Sequence, residues 1–502
     1  MTTIHEHTMV GLTKLTPEAL ECAARPVRIL LDEDTLERVA RCREFAQQRL
    51  DGDDPVYGAH TGFGPLVGYP GRETHADQCD NLLDHLTAGQ GPDLEPAVVR
   101  AAMLVRLRSL SQGLSGVSVP VVTALAAALA TGFAPAVPRW GSVGASGDLI
   151  PLAYVARALG GDGRAFLDGT PMPADEALTL AGLSPLVLDG RDALALVNGT
   201  GLTAAAAGLA VASLRRSHAA AAGLTALMTD ILGCTPEFLS PALIEAFGHA
   251  DAGSVAGNMR ALLTGLVPSG DRPLQEPYSI RCTPQLLGAA GASIRHAGDT
   301  VSDDLNGVSD NPLFFPESGE VVHGGNFFGQ PCAFAADLLT LAATQLANLA
   351  ERQLDLMVDP HRNGGLPPVL SADPGRQHGV QGVQLAATAI VANLRRSATP
   401  ASVQSLPTNL HNQDVVPFGT QAALNALDAA RALRWVHGSL ALALRQAVFV
   451  GGRRPTAPAC AAAMAALATA IPPVAVDRAL DADVRRAADV LDGLVTGGAL
   501  AA

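Results

Sequence analysis

Gly141-Ser142-Val143-Gly144-Ala145-Ser146-Gly147-Asp148-Leu149 is the stretch on which the reading of this chain turns. Pro135 and Pro138 force an extended approach to it, and Leu149 to Leu159 resumes helical spacing before stopping at Gly160-Gly161. Ala145-Ser146-Gly147 therefore sits in a loop just ahead of a helix N-terminus. The plainest reading is a flexible Gly/Ser turn. A phosphate cradle is a second, because such a loop offers free amides. It is weak here, since there is no GxxxxGK[ST] pattern and no strand ahead of it. The third reading uses the backbone itself. Gly147 lacks a Cβ, which lets its nitrogen approach the Ala145 carbonyl in a tight turn. Cyclisation with loss of water, then departure of the Ser146 hydroxyl as a second water, leaves an exocyclic methylidene. That group is an electrophile made without an external cofactor, and the helix N-terminus behind it favours developing negative charge.

Outward from the loop the chain reads as mainly α. Of 502 residues, 48% are hydrophobic but only 4% aromatic, so Ala, Leu, Val and Gly supply the apolar content. Strands favour aromatic and β-branched residues, so an all-β fold is disfavoured. Charged residues are only 16%, too few for a disordered chain. Periodicity predicts helices over Asp34 to Leu50, Pro96 to Gln112, Pro120 to Ala130 and Thr203 to Leu232. It predicts longer ones over Pro331 to Met357, Val380 to Arg396 and Thr420 to Val450, with a charged outer helix over Asp477 to Leu494. Phe334, Leu338, Leu341, Leu346 and Leu349 are expected to form one apolar face. No strand series is evident. Tyr57 to Gly64, with three glycines, reads as a loop.

The net charge of −14 argues against nucleic-acid binding, which needs clustered basic residues. Lys14 is the sole lysine, which disfavours Schiff-base chemistry. Seven scattered cysteines without a CxxC pair read as reduced thiols in a cytoplasmic protein, and the N-terminus does not read as a signal peptide. The most apolar stretches are broken by Gly and Pro or are too short for a span, so no membrane insertion is expected.

Gly144-Ala145-Ser146-Gly147-Asp148-Leu149 resembles the cofactor motif of the aromatic amino-acid and histidine ammonia-lyases. These enzymes carry 4-methylidene-imidazol-5-one (MIO), formed from Ala-Ser-Gly. Six further motifs follow the family order: Tyr57 to Gly64, Ala195 to Thr200, Gln275 to Cys282, Ser309 to Pro312, His323 to Phe327 and Asn412 to Asp414. The resemblance implies a long-helix bundle with a mixed N-terminal portion bearing MIO, divided as residues 1–200 and 201–502. It implies MIO built from Ala145, Ser146 and Gly147, with no metal and no nucleotide. It also implies a homotetramer whose active sites are shared between subunits.

Residue roles follow from the same resemblance. Tyr57 matches the base that removes the β-proton, which requires a phenol made more acidic than usual. Arg281 matches the clamp on the substrate carboxylate, assisted by Asn311. Asn198 and Tyr278 would lie beside MIO, Gln275, Asn412 and Gln413 would complete a polar network, and Gly64 would border the substrate. Phe327 would pack over MIO, although ordinary core packing explains it equally. His85-Leu86 aligns with the ring-selectivity position, where tyrosine-selective bacterial members resemble His-Leu. Gln413 stands where histidine enzymes carry Glu, which argues against an imidazole substrate. The expected reaction is elimination of ammonia from L-tyrosine to give 4-hydroxycinnamate. The alternatives are an aromatic 2,3-aminomutase, a phenylalanine-preferring lyase and a catalytically silent homologue. Ala59-His60 departs from the usual aliphatic-Asn pair, and Gln90 from the usual Val.

Overall fold

The computed structural model describes residues 8–9, 12, 14–52, 56–58, 60–72 and 74–500. The chain divides into two compact units. The first comprises Met1–Val211, Ala297–Asp337 and Pro400–Leu427; the second comprises Ala212–His296, Leu338–Thr399 and Asp428–Ala502.

The first unit contains all the strands found among the described residues, and each is short. Thr8–Met9 pairs in parallel with Arg28–Ile29, Gln90–Asp93 runs antiparallel to Pro138–Trp140, and Leu313–Phe315 forms a hairpin with Glu320–Val322. The largest sheet is antiparallel, in the order Phe133–Pro135, Arg164–Leu167, Thr170–Pro173. Helices surround them. Glu33–Leu50 opens on Asp32, whose carboxylate accepts from Thr35 N at 2.9 Å. His75–Leu86 opens on Thr74, whose hydroxyl accepts from Asp77 N at 3.1 Å. Pro96–Leu110 is buried along almost its whole length, and its Arg100 donates to five backbone carbonyls. A buried guanidinium satisfied in this way acts as a strut between segments that lack regular pairing partners.

The second unit is helical, with no strand among its described residues. Buried Asp230 accepts from the Thr456 and Ala457 amides, and Gln353 donates to Thr225 Oγ1 at 2.8 Å.

The fold is mainly α, as expected. The predicted helices lie at Gly201–Leu232, Gln330–Val358, Gln381–Ser397 and Gly419–Phe449, and Leu149–Leu159 has the expected ends. One expectation holds only in part: Leu346 and Leu349 are buried and Leu338 is half-buried, but Phe334 and Leu341 are exposed, and the buried stripe also takes in Leu339, Ala343 and Ala350. Ala and Leu crowd every face of that helix, so composition alone did not choose the side. Gly190–Leu232 and Gln330–Val358 are long and apolar enough to cross a membrane, but 94% and 72% of their most apolar windows are buried inside the protein.

Candidate active site

The Ala145-Ser146-Gly147 loop is a tight turn. Gly144 and Gly147 have φ of +73° and +71°, and both Gly144 and Ala145 bridge to Gly147 across it. A Cβ on Gly147 would meet the backbone N, C and O of Gly199 at 2.6 Å, so only glycine fits there. Asp148, fully buried, locks the turn from behind. Its carboxylate accepts from Ser142 Oγ, Thr203 N, Thr203 Oγ1 and Thr420 Oγ1 at 2.7–2.9 Å. Thr203 and Thr420 lie in the first turns of the Gly201–Leu232 and Gly419–Phe449 helices. The carboxylate thus meets the first turn of both helices, through an amide of one and a threonine hydroxyl of each.

Ser146 opens into a cavity of about 440 Å³ in the first unit. Ten of the residues expected from sequence line it: Tyr57, Gly64, His85, Leu86, Ser146, Asn198, Asn311, Phe327, Asn412 and Gln413. Asn198 Nδ2 donates to Ser146 O at 2.8 Å, and Gln413 Nε2 donates to Ser146 Oγ at 2.6 Å. Gln413 is held by paired backbone bonds with Thr408, on a turn whose residues Asn409, Leu410 and His411 all have positive φ. Consecutive non-glycine residues in that region store strain next to the side chain they aim. Asn311 Oδ1 accepts from Gly324 N at 2.9 Å. The Tyr57 hydroxyl accepts from Gly64 N at 2.8 Å.

A family model described as aromatic amino acid lyase matches residues 15–469. The chain belongs to the aromatic amino acid lyase family. It is 36% identical to a histidine ammonia-lyase of Symbiobacterium thermophilum, over 96% of each chain. It is 37% identical to a tyrosine ammonia-lyase of Cupriavidus metallidurans, over 95% of this chain and 94% of the other. A tyrosine aminomutase from Streptomyces globisporus superposes with a TM-score of 0.91 at 33% identity, over 98% of both chains.

The family's MIO cofactor requires an Ala-Ser-Gly turn with its nitrogen and carbonyl brought together, and this turn fits. The Gly147 position has no room for a side chain, and Asn198 Oδ1 is buried without a partner beside Ser146. No group of His, Cys, Asp and Glu suited to hold a metal occurs among the described residues.

Within this family member the other expected site residues are placed differently. Ala145 and Gly147 flank Ser146 without lining the cavity. Gln275, Tyr278 and Arg281 belong to the second unit and are not among the lining residues. There the Arg281 guanidinium lies 4.6 Å above the Tyr278 ring, and its Nε donates to Glu276 O at 2.9 Å. Tyr278 is 70% exposed. Ala59 lies outside the described residues. Gln90 sits in the strand paired with Trp140, away from the cavity lining.

Three contributors escaped the sequence reading. Phe63 stacks on His85 (6.2 Å between centroids) and meets Tyr57 edge-on at 6.3 Å, forming an aromatic row along the cavity. Gln78, buried in the His75–Leu86 helix, donates to the Gly58 and Thr61 carbonyls and so shapes the Tyr57 loop. Asp148 was visible as part of the motif but had no assigned role. Burial pushes the Tyr57 hydroxyl above the ordinary phenol value, and the Gly64 amide opposes this only in part. The acidified phenol expected from sequence is therefore not produced by this chain's own surroundings. The reason is physical: no cation lines the cavity among the described residues.

Proposed function

We propose that this chain eliminates ammonia from L-tyrosine to give 4-hydroxycinnamate. The observation that carries the substrate choice is the tautomer of His85. Its Nδ1 lies 2.7 Å from the Asn81 carbonyl oxygen, so Nδ1 holds the hydrogen and Nε2 keeps its lone pair. A phenolic O–H entering the cavity can donate to that lone pair, whereas phenylalanine offers it no donor. No carboxylate lines the cavity among the described residues, and Gln413 offers an imidazole substrate no anion.

MIO formed from Ala145, Ser146 and Gly147 would supply the electrophile that takes hold of the substrate's amine or ring. The chain's own residues do the rest. Tyr57 accepts the β-proton while the C–N electron pair leaves with ammonia, and the electrons of the broken C–H bond form the double bond. Asn198, through its unpaired Oδ1, holds the amine. Asn311 holds the carboxylate with Asn412 in the surrounding polar network, and Arg281 and Gln275, which do not line this cavity, would join them from another copy. Phe63 and Phe327 exclude water from the ring.

The working assembly is proposed to be a homotetramer with shared sites. The cavity has no cation for a carboxylate among its described lining, while Tyr278 and Arg281 form a pair with an exposed ring. Residues from other copies would bring the positive charge that Tyr57 needs to ionise near neutral pH.

A second reading, an aminomutase forming β-tyrosine, is favoured by one observation. The Tyr57 loop is pinned by Gln78 at two carbonyls, and a tight loop slows product escape. Incubating the purified protein with tyrosine, phenylalanine and histidine and resolving the products tests both readings. 4-Hydroxycinnamate from tyrosine is expected as the main product. Exclusive β-tyrosine establishes the mutase, and preferential turnover of histidine overturns the substrate assignment.

A further inference from the structure

The backbone that carries Tyr57 is held by two imidazoles. Val56 N donates to His60 Nδ1 at 3.1 Å, and the next amide, Tyr57 N, donates to His323 Nε2 at 3.2 Å. A backbone amide is only a donor, so both ring nitrogens must present lone pairs. For His60 this settles the other side of the ring: Nε2 carries the hydrogen and donates to the Leu50 carbonyl at 2.8 Å. One neutral tautomer satisfies both bonds. The ring therefore bridges the last residue of the Glu33–Leu50 helix and the residue before Tyr57. Val56 is anchored to the same place by its side chain, which packs with Cys42, Ala46, Leu50 and Phe314. A further bond, His60 N to Val56 O at 3.1 Å, closes the turn. Neither histidine lines the cavity, so neither is placed to touch the substrate.

We propose that His60 and His323 are positioning residues for the reaction. Through their acceptor nitrogens they fix the Val56–Tyr57 backbone, and with it the place of the Tyr57 hydroxyl over the cavity. The inference rests on Tyr57 being the base. His60 is the informative member because both of its ring nitrogens have fixed partners. An asparagine amide reaches about as far as Nδ1 and can still receive the Val56 amide. A glutamine amide reaches about as far as Nε2 and can renew only the bond to Leu50.

The test uses the full chain, with intact mass confirming loss of two waters in each variant. His60→Ala, His60→Asn, His60→Gln, His323→Ala and Tyr57→Phe are compared with the parent for kcat, KM and the β-deuterium isotope effect on tyrosine. His60→Ala and His323→Ala are expected to lower kcat by about 10- to 100-fold, the scale of an ångström-sized misplacement of a reacting group. KM should change little and the isotope effect should rise. His60→Asn should recover most of the loss and His60→Gln much less. Equal losses in His60→Ala, Asn and Gln overturn the positioning role, as does an unchanged isotope effect. If His60→Ala does not fold, the contrast between Asn and Gln still decides. An active Tyr57→Phe would sink the base assignment and this inference with it. An inactive Tyr57→Phe beside fully active histidine variants would sink this inference alone.

Discussion

His85 and Gln413 reach the cavity from opposite ends of the first unit's sequence, and each meets the site through one nitrogen whose chemistry is fixed by a backbone or side-chain partner. For His85 the partner is the Asn81 carbonyl, which leaves Nε2 as an acceptor. Replacing this imidazole with a phenyl ring removes the acceptor and keeps the planar shape that stacks on Phe63. His85→Phe is therefore expected to lower kcat/KM for tyrosine by about 10- to 100-fold, the value of one such bond, while leaving phenylalanine equal or better. Steady-state kinetics on both substrates checks this, and an unmoved ratio makes His85 a bystander. Gly147 gives a second prediction. A methyl group there faces the Gly199 backbone at 2.6 Å and a φ of +71°. Gly147→Ala should fold less stably, by about 1–3 kcal/mol, and should keep its full mass instead of losing two waters. A variant that loses both waters would contradict the role given to the bare backbone. At this scale the motif residues were legible because their types are chemically specific. Phe63 was not, since a phenylalanine in a glycine-rich loop carries no mark of what it will stack on.

At the scale of elements, Asp148 joins three segments that are far apart in sequence. It accepts from the starts of the Gly201–Leu232 and Gly419–Phe449 helices and from Ser142 at the mouth of the turn. Removing a buried carboxylate leaves several donors unpaired at once, which costs about 3–5 kcal/mol by analogy with breaking buried ion pairs. Asp148→Ala is expected to lower Tm and, in the folded fraction, to slow the loss of two waters followed by intact mass over time. Normal maturation at normal stability would remove Asp148 from this role. The helices it joins were readable from Ala and Leu spacing to within a few residues. Thr283–Asn306 was not, although it has 24 residues, because its Gly288 and Gly291 and the late acidic cluster of Asp299, Asp303 and Asp304 break the apolar rhythm. Phe334 and Leu341 misled in the other direction, since a large apolar side chain reads as buried until a partner surface is known.

Across the whole molecule the composition is explained by burial: Ala and Leu dominate the core, and the described residues include only short strands. No disulfide joins the seven cysteines, and burial pushes the Cys42 thiol up to about 11, so it behaves as a small apolar group. The same burial acts on one acid with the opposite consequence. Asp304 is partly covered as a residue and its Oδ2 is shut off from water; its carboxyl is pushed up to about 6 by burial first, a shift that the Cys332 thiol opposes and Asp148 and Asp303 reinforce. A carboxyl with a folded-state pKa above its unfolded value binds its proton more tightly in the folded state. The protonated form therefore favours folding fully below about pH 4, and this contribution is lost as pH rises through about 6. Above that range the ionised group opposes folding, by about 1–3 kcal/mol after allowance for its partial exposure. Asp304→Asn, which cannot ionise, should then be more stable than the parent at pH 8 and lose that advantage toward pH 4. Urea unfolding of both proteins across that range measures the difference directly, and a stability gap that stays constant with pH would show that Asp304 titrates no differently in the folded chain.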